Sequence, residues 1–184
     1  MALRRSGIDD GFKGMWLGTV KPLNSEQAEY VEKLKDVVMQ GRHWCLVVGG
    51  TKGNGKSYLS QIAVNTYNND SDNAGFAGAL YITQPLLEAA LRTDGSNAFL
   101  KYSSAPVLVL DELSDRPEDW TDYIKTNIEN IIVEIHRRNN ALVAIGNIDL
   151  KRLVRMFELR IRDRLKEGLL MTMKEESLRK EGGR

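Results

Sequence analysis

A pattern of glycines, a lysine and a serine over residues 50–57 is the strongest chemical signal in the chain. It fits G-x-x-x-x-G-K-[ST] and consists of Gly50, Thr51, Lys52, Gly53, Asn54, Gly55, Lys56 and Ser57. Glycines let the backbone turn tightly and aim several N–H groups at one point, which suits a bound triphosphate. In such a loop the lysine reaches the β- and γ-phosphates and the serine hydroxyl binds Mg²⁺. We therefore expect ATP on residues 50–58, up to Tyr58, with Lys56 acting in catalysis and Ser57 as a metal ligand.

The residues on either side decide between a phosphate-binding loop and a glycine-rich turn that contains a lysine by chance. Residues 45–48 form an apolar run that is typical of a buried strand. Leu59, Ile62 and Ala63 recur at helical spacing after the loop. A phosphate-binding loop needs this order, because the N-terminus of the following helix adds the positive end of its dipole. The context favours the phosphate-binding loop.

Two carboxylates follow another apolar segment. Residues 107–110 predict a buried strand, and Asp111 and Glu112 come directly after it. In an open parallel sheet, ligands bind at the carboxyl ends of the strands. Asp111 would there hold Mg²⁺, directly or through water, and Glu112 would be the general base for an attacking water. A strand that happens to end in two surface acids is the alternative, and such acids are common. The position of these two carboxylates, about fifty residues after the phosphate loop, favours a catalytic role over that alternative.

A polar amide and a run of basic side chains come next. Residues 141–146 predict a buried strand that ends at Asn147, whose amide could orient the catalytic water or contact the γ-phosphate. An ordinary turn asparagine is the alternative. Residues 149–165 predict a very basic helix. Its basic side chains could have a chemical role, or they could simply form the solvated face of the helix.

Helical and strand-like segments alternate along the chain and must position these residues. The predicted helices cover residues 24–40, 58–67, 84–92, 122–139 and 149–165, and the predicted strands cover 45–48, 78–83, 107–110, 141–146 and 167–173. Asn24 is expected to cap the first helix, with Gln27 closing a capping box, and Ala28 is expected on the inward face. Residues 93–97 are expected to form a loop.

This alternation predicts a parallel sheet that helices cover on both faces. We expect an α/β fold: a three-layer P-loop NTPase core with a mostly parallel five-stranded sheet and no separate lid domain. The predicted organisation is a leader over residues 1–23 and a nucleotide-binding domain over residues 24–184.

Composition excludes several other classes of protein. The chain has 184 residues and a formal net charge of +1, so overall charge does not indicate nucleic-acid binding. The only cysteine, Cys45, excludes an intramolecular disulfide and a Cys-rich zinc site. No apolar run approaches the ~18 residues of a membrane span, and the N-terminus lacks the apolar segment of a secretory signal. We expect a cytoplasmic protein without a membrane partner.

The predicted leader contains apolar residues that need a packing partner. They are Phe12, Met15, Trp16 and Leu17. These side chains could lie over the base of a bound nucleotide, and plain core packing would explain them equally well.

In motif order and spacing the chain resembles the helicase-loader ATPases of the DnaC type and the related IstB transposition ATPases, both within the AAA+ group. Residues 5–8 resemble the R-S-G-I stretch before the ATPase core of DnaC-like proteins, and the two motifs at 50–57 and 108–112 are the Walker A and Walker B motifs. Asn147 falls at the position of the sensor 1 asparagine. Residues 159–165 resemble the stretch that bears the arginine finger, with Leu159 in place of a glutamate, and residues 177–179 resemble the S-Y-R near the family's C-terminus.

This resemblance implies further roles and partners. Arg164 becomes the arginine finger, Arg160 a second phosphate-facing candidate, and Arg179 a sensor 2 residue that binds nucleotide. Because a finger serves a neighbour's nucleotide, the resemblance implies a homo-oligomer with Arg164 acting in trans. It also implies a replicative helicase and single-stranded DNA as partners, the DNA lying on a basic groove that comprises Arg92, Lys101, Arg137 and Arg138.

Three alternatives stay open on the sequence. The chain could be an IstB-like transposition ATPase, or a small P-loop nucleoside or nucleotide kinase of similar length. The adjacent Asp111 and Glu112 favour water over a nucleoside as the acceptor. A nucleotide-switched binding module with negligible turnover is the third alternative.

Overall fold

A parallel sheet of five strands forms the centre of the molecule in the computed structural model, which describes residues 6–12, 14–70, 78–114, 116 and 119–174. The strands are β1 (Cys45–Gly50), β2 (Leu80–Thr83), β3 (Val107–Leu113), β4 (Ala141–Gly146) and β5 (Leu169–Met173). They lie in the order β2-β3-β4-β1-β5, and each neighbouring pair is parallel. The phosphate-loop strand β1 and the carboxylate strand β3 therefore end at the same edge of the sheet, with β4 between them.

Helices cover both faces of this sheet. They are α1 (Ser25–Leu34), α2 (Lys56–Asn69), α3 (Gln84–Asp94), α4 (Ser96–Ser103), α5 (Asp122–Arg137), α6 (Leu150–Arg155) and α7 (Leu159–Lys166). Alternate residues of β1, β3 and β4 face two separate apolar clusters, one containing the isoleucines of α5 and the other containing residues of α1 and α2. Because β1, β3 and β4 are buried on both sides, they are almost continuously apolar. The predicted three-layer α/β fold is confirmed.

The first helix is shorter than predicted and differs at its start. Asn24 caps it by accepting a hydrogen bond from Gln27 N, and a π-helical turn at Lys35–Met39 follows its end. In a capping box the Gln27 side chain would accept a hydrogen bond from the N–H of Asn24. It accepts instead from the N–H of the preceding residue, Leu23, at 3.0 Å. Ala28 is exposed, because the buried Gln27 takes the inward place in this turn of the helix.

Two further sequence expectations are wrong. The predicted loop at residues 93–97 is the junction of α3 and α4, which meet at Gly95 with a φ of 50°. The single helix predicted over residues 149–165 is broken into α6 and α7. The break lets Phe157 enter the core and pack edge-on against the Trp120 ring. Arg162 secures it by donating hydrogen bonds to the carbonyl groups of Phe157 and Arg155.

The described part of the predicted leader packs on α2. Leu17 N donates to Thr66 Oγ1 at 2.8 Å, and Asn65 Nδ2 donates to Met15 O at 2.8 Å. Leu17 is buried in the same apolar cluster as α1 and α2. Among the described residues, no helix combines the length and apolar character needed to cross a membrane.

Candidate nucleotide-binding site

The phosphate loop joins the end of β1 to the start of α2 and is tightly held against β5. Gly50 has a φ of 126°, and a Cβ on it would lie 1.9 Å from Met173 O. Gly55, just before α2, has a φ of 95°. Both positions therefore need glycine, because L side chains rarely adopt such backbone angles. Thr51 N donates to Met173 O at 3.0 Å, which ties the loop to the end of β5.

Lys56 is almost completely buried inside this loop, with 3% of its surface exposed. Its Nζ donates to Thr51 O at 2.5 Å and to Asn54 Oδ1 at 2.9 Å. Burial lowers the pKa of the Lys56 ammonium to about 8, although the negative charges of Asp111 and Glu26 act in the opposite direction. The lysine is thus held by loop oxygens, which phosphate oxygens can replace as acceptors.

Asn54 and Gln27 fix the shape of the loop through buried polar contacts. Asn54 Nδ2 donates to Met173 O at 2.9 Å, and Asn54 O accepts from Gln27 Nε2 at 3.0 Å. Through its Oε1, which accepts from Leu23 N, Gln27 also connects the loop to the segment before α1. The glutamine amide therefore connects α1 both to the phosphate loop and to the segment before α1.

The two carboxylates at the end of β3 have different environments. Asp111 is fully buried, and its Oδ2 accepts a hydrogen bond from the Tyr81 hydroxyl at 2.6 Å. Glu112 is exposed and has a φ of 55°, a left-handed conformation that is costly for a residue with a Cβ. The pairing of β3 with β4 shifts register between Leu110 and Leu113, so the strand bulges at this point. The bulge keeps Asp111 inside and turns Glu112 toward solvent.

Ser57 and Asp111 suit a magnesium ion in the presence of phosphate. Ser57 lies beside Lys56 in the first turn of α2, and the charge of Asp111 acts on that lysine. Mg²⁺ usually binds one or two protein oxygens and completes its shell with phosphate and water. Among the described residues, no group of three or more His, Cys, Asp or Glu side chains could hold a metal. The donor set therefore fits magnesium bound together with a nucleotide.

A cleft of about 650 Å³ opens beside the phosphate loop. The segment before α1 forms one wall through Met15, Trp16 and Val20, and residues 53–58 form the other. Asn147, exposed at the end of β4, also lines the cleft. Leu17 joins the core, as plain packing predicts, while Met15 and Trp16 line the cleft.

The basic candidates lie elsewhere. Neither Arg160 nor Arg164, both on α7, is among the described residues that line the cleft. Arg160 Nε lies 3.2 Å from Glu158 Oε2. Arg179 lies outside the described residues.

The four basic residues predicted to form a DNA groove already have partners. Arg92 pairs with Glu88, both Arg137 and Arg138 pair with Glu134, and Lys101 Nζ lies over the Tyr102 ring.

Sequence reasoning missed two residues of this site. Gln27 was interpreted only as a capping residue, and its buried contact with the loop depends on tertiary packing. Tyr81 lies in a short apolar strand, and its hydroxyl gains a role only once β2 pairs with β3. A tyrosine two residues before the end of β2 was the one available signal.

Solved structures of DNA replication proteins have a similar fold. No protein-family model and no curated protein matches the sequence. A DNA replication initiation factor superposes with a TM-score of 0.72 at 15% identity, over 89% of this chain and 50% of that one. The initiator DnaA bound to AMPPCP and single-stranded DNA superposes with a TM-score of 0.70 at 16% identity, over 88% of this chain and 50% of that one. The DnaC helicase loader superposes with a TM-score of 0.70 at 20% identity, over 90% of this chain and 100% of that one.

These similarities establish the architecture. The chain has the α/β fold of these solved structures, with the parallel five-stranded sheet described above. It spans about half the length of the initiator structures and the full length of the DnaC structure.

Proposed function

We propose that this protein binds and hydrolyses ATP with Mg²⁺ and acts in DNA replication as a helicase-loader type ATPase. The observation that carries the proposal is the meeting of two motifs at one sheet edge. A phosphate loop with a buried Lys56 lies beside a buried Asp111, whose charge acts on Lys56 and whose Oδ2 accepts a hydrogen bond from the Tyr81 hydroxyl. The similarity to the DnaC helicase loader supports the choice among P-loop proteins.

The proposed chemistry uses residues at the ends of β1, β3 and β4. The amides of residues 50–58 and the Lys56 ammonium bind the phosphates, and Ser57 and Asp111 hold the magnesium ion, which neutralises phosphate charge. Glu112 reaches into solvent beside this site and accepts the proton of the attacking water. Asn147, at the cleft, orients that water or contacts the γ-phosphate.

We further propose that hydrolysis needs a second copy of the chain. Charge that develops on the transferred phosphoryl group needs a cation, and a finger supplied in trans raises the rate by about 10³–10⁵. Arg164 and Arg160 lie away from the cleft of their own chain, which suits action on a neighbour's nucleotide. Arg179 is proposed as an additional nucleotide contact.

The proposed partners are single-stranded DNA and a replicative helicase. One similar structure is described as DnaA bound to single-stranded DNA, and another as a helicase loader. The ion pairs of Arg92, Arg137 and Arg138 are exposed to solvent and therefore weak, so phosphates can displace their carboxylates. Binding of this kind would weaken steeply with salt.

Phosphate release from ATP tests the proposed activity. The wild-type protein should release phosphate in Mg²⁺, with a rate per subunit that rises with protein concentration. The Glu112→Gln variant should bind ATP and release no phosphate. Phosphoryl transfer to an added nucleoside would instead indicate a kinase, and unchanged turnover in Glu112→Gln would indicate a binding module.

A further inference from the structure

The Tyr81 hydroxyl contacts one of the two side chains proposed to hold magnesium. Its O–H donates to Asp111 Oδ2 at 2.6 Å. Tyr81 pairs with Val109 in the parallel ladder of β2 and β3, so its side chain reaches forward to the end of β3. The Tyr81 hydroxyl therefore holds the Asp111 carboxylate at the edge of the sheet where the phosphate loop ends.

The chemistry of the two groups fixes the direction of this hydrogen bond. A carboxylate can only accept, so the Tyr81 O–H must donate to Asp111. Each Asp111 oxygen accepts one bond, because Oδ1 accepts from Glu112 N at 2.6 Å. A carboxylate has about four lone-pair sites, so Asp111 keeps capacity for a cation or its bound water.

We propose that Tyr81 is a positioning residue of the magnesium site. Its hydroxyl donates to one oxygen of Asp111 and holds the carboxylate, so that Asp111 presents an oxygen lone pair to the cation. This inference rests on the proposed nucleotide-binding function. Groups that orient metal ligands typically change metal affinity about 10–100-fold when they are removed. Tyr81→Phe deletes one oxygen atom and keeps the ring, which makes it a sharp test.

The test measures binding of a fluorescent ADP analogue in EDTA and then in increasing Mg²⁺. Wild type is compared with Tyr81→Phe and with a control, Tyr102→Phe, which alters a buried tyrosine on α4 away from the site. Affinity in EDTA should agree within about twofold among the three proteins. Mg²⁺ should increase the affinity for the analogue. The Mg²⁺ concentration that gives half of this increase in affinity should rise about tenfold in Tyr81→Phe and stay unchanged in the control.

Three results would overturn the inference. A half-effect concentration in Tyr81→Phe within about threefold of wild type would show that the hydroxyl does not orient the ligands. A lower concentration would mean that the phenol competes with the cation. A loss of metal-free binding in Tyr81→Phe would mean that it supports the loop and not the metal. Failure of the wild type to bind the analogue at all would instead refute the proposed nucleotide function.

Discussion

The Gln27 amide is expected to control both the stability of the protein and the shape of the phosphate loop. It is 5% exposed, donates to Asn54 O at 3.0 Å, and accepts from Leu23 N at 3.0 Å. Gln27→Met keeps the length of the side chain and removes both hydrogen bonds. A buried polar group left without its partner costs about 1–3 kcal/mol. Because the Leu23 N–H is only partly buried, we expect a total loss of about 2–4 kcal/mol in the free energy of unfolding.

Urea unfolding measures this loss. With a slope of about 2 kcal/mol per molar, the midpoint should fall by about 1–2 M. Gln61→Met is the matched control, because Gln61 makes one exposed contact of 3.4 Å with Asp9 N and its loss should cost less than about 0.5 kcal/mol. ADP affinity should also fall in Gln27→Met and stay unchanged in Gln61→Met. A midpoint for Gln27→Met that equals the control would refute the reasoning.

Three further expectations concern charged residues. Burial lowers the pKa of Lys56 to about 8, so the free protein loses this charge as pH rises from 7 to 9. The affinity for ADP in EDTA should therefore fall about tenfold over that range. Equal affinity at pH 7 and pH 9 would contradict this. Glu129, buried on α5, accepts from Glu158 N at 2.7 Å, so Glu129→Ala should lower the free energy of unfolding in urea by about 2 kcal/mol, and Glu129→Gln by less than half as much. Equal losses in the two Glu129 variants would argue against that contact. Arg164→Ala should bind ATP normally and lose the rise of turnover with protein concentration, and wild-type turnover at high concentration would exclude the finger role.

The sheet and the phosphate loop could be predicted because their signals are local. Apolar runs of four to six residues marked β1, β3 and β4, and residues 50–57 carry their own backbone requirements. The isoleucines of α5, including the buried Ile128 and Ile135, recur at helical spacing. The alternation of strands and helices then left a parallel sheet as the natural arrangement.

What the sequence did not reveal depends on contacts between distant parts of the chain. The break between α6 and α7 exists because Phe157 is buried against Trp120, and residues 149–165 show no Gly or Pro that would mark a helix end. The left-handed conformation of Glu112 follows from the register shift between β3 and β4. The roles of Gln27 and Tyr81 likewise arise only when α1 meets the loop and β2 meets β3.

The central claim is that residues 50–58 bind the phosphates of ATP through a buried lysine. Titration calorimetry of MgADP into the wild-type protein and into Lys56→Ala tests it most directly, with circular dichroism to verify that the variant is folded. The account predicts saturable binding at one site per chain for the wild type and no detectable binding for the folded variant. Equal affinity of the two proteins, or no binding by the wild type, would contradict it.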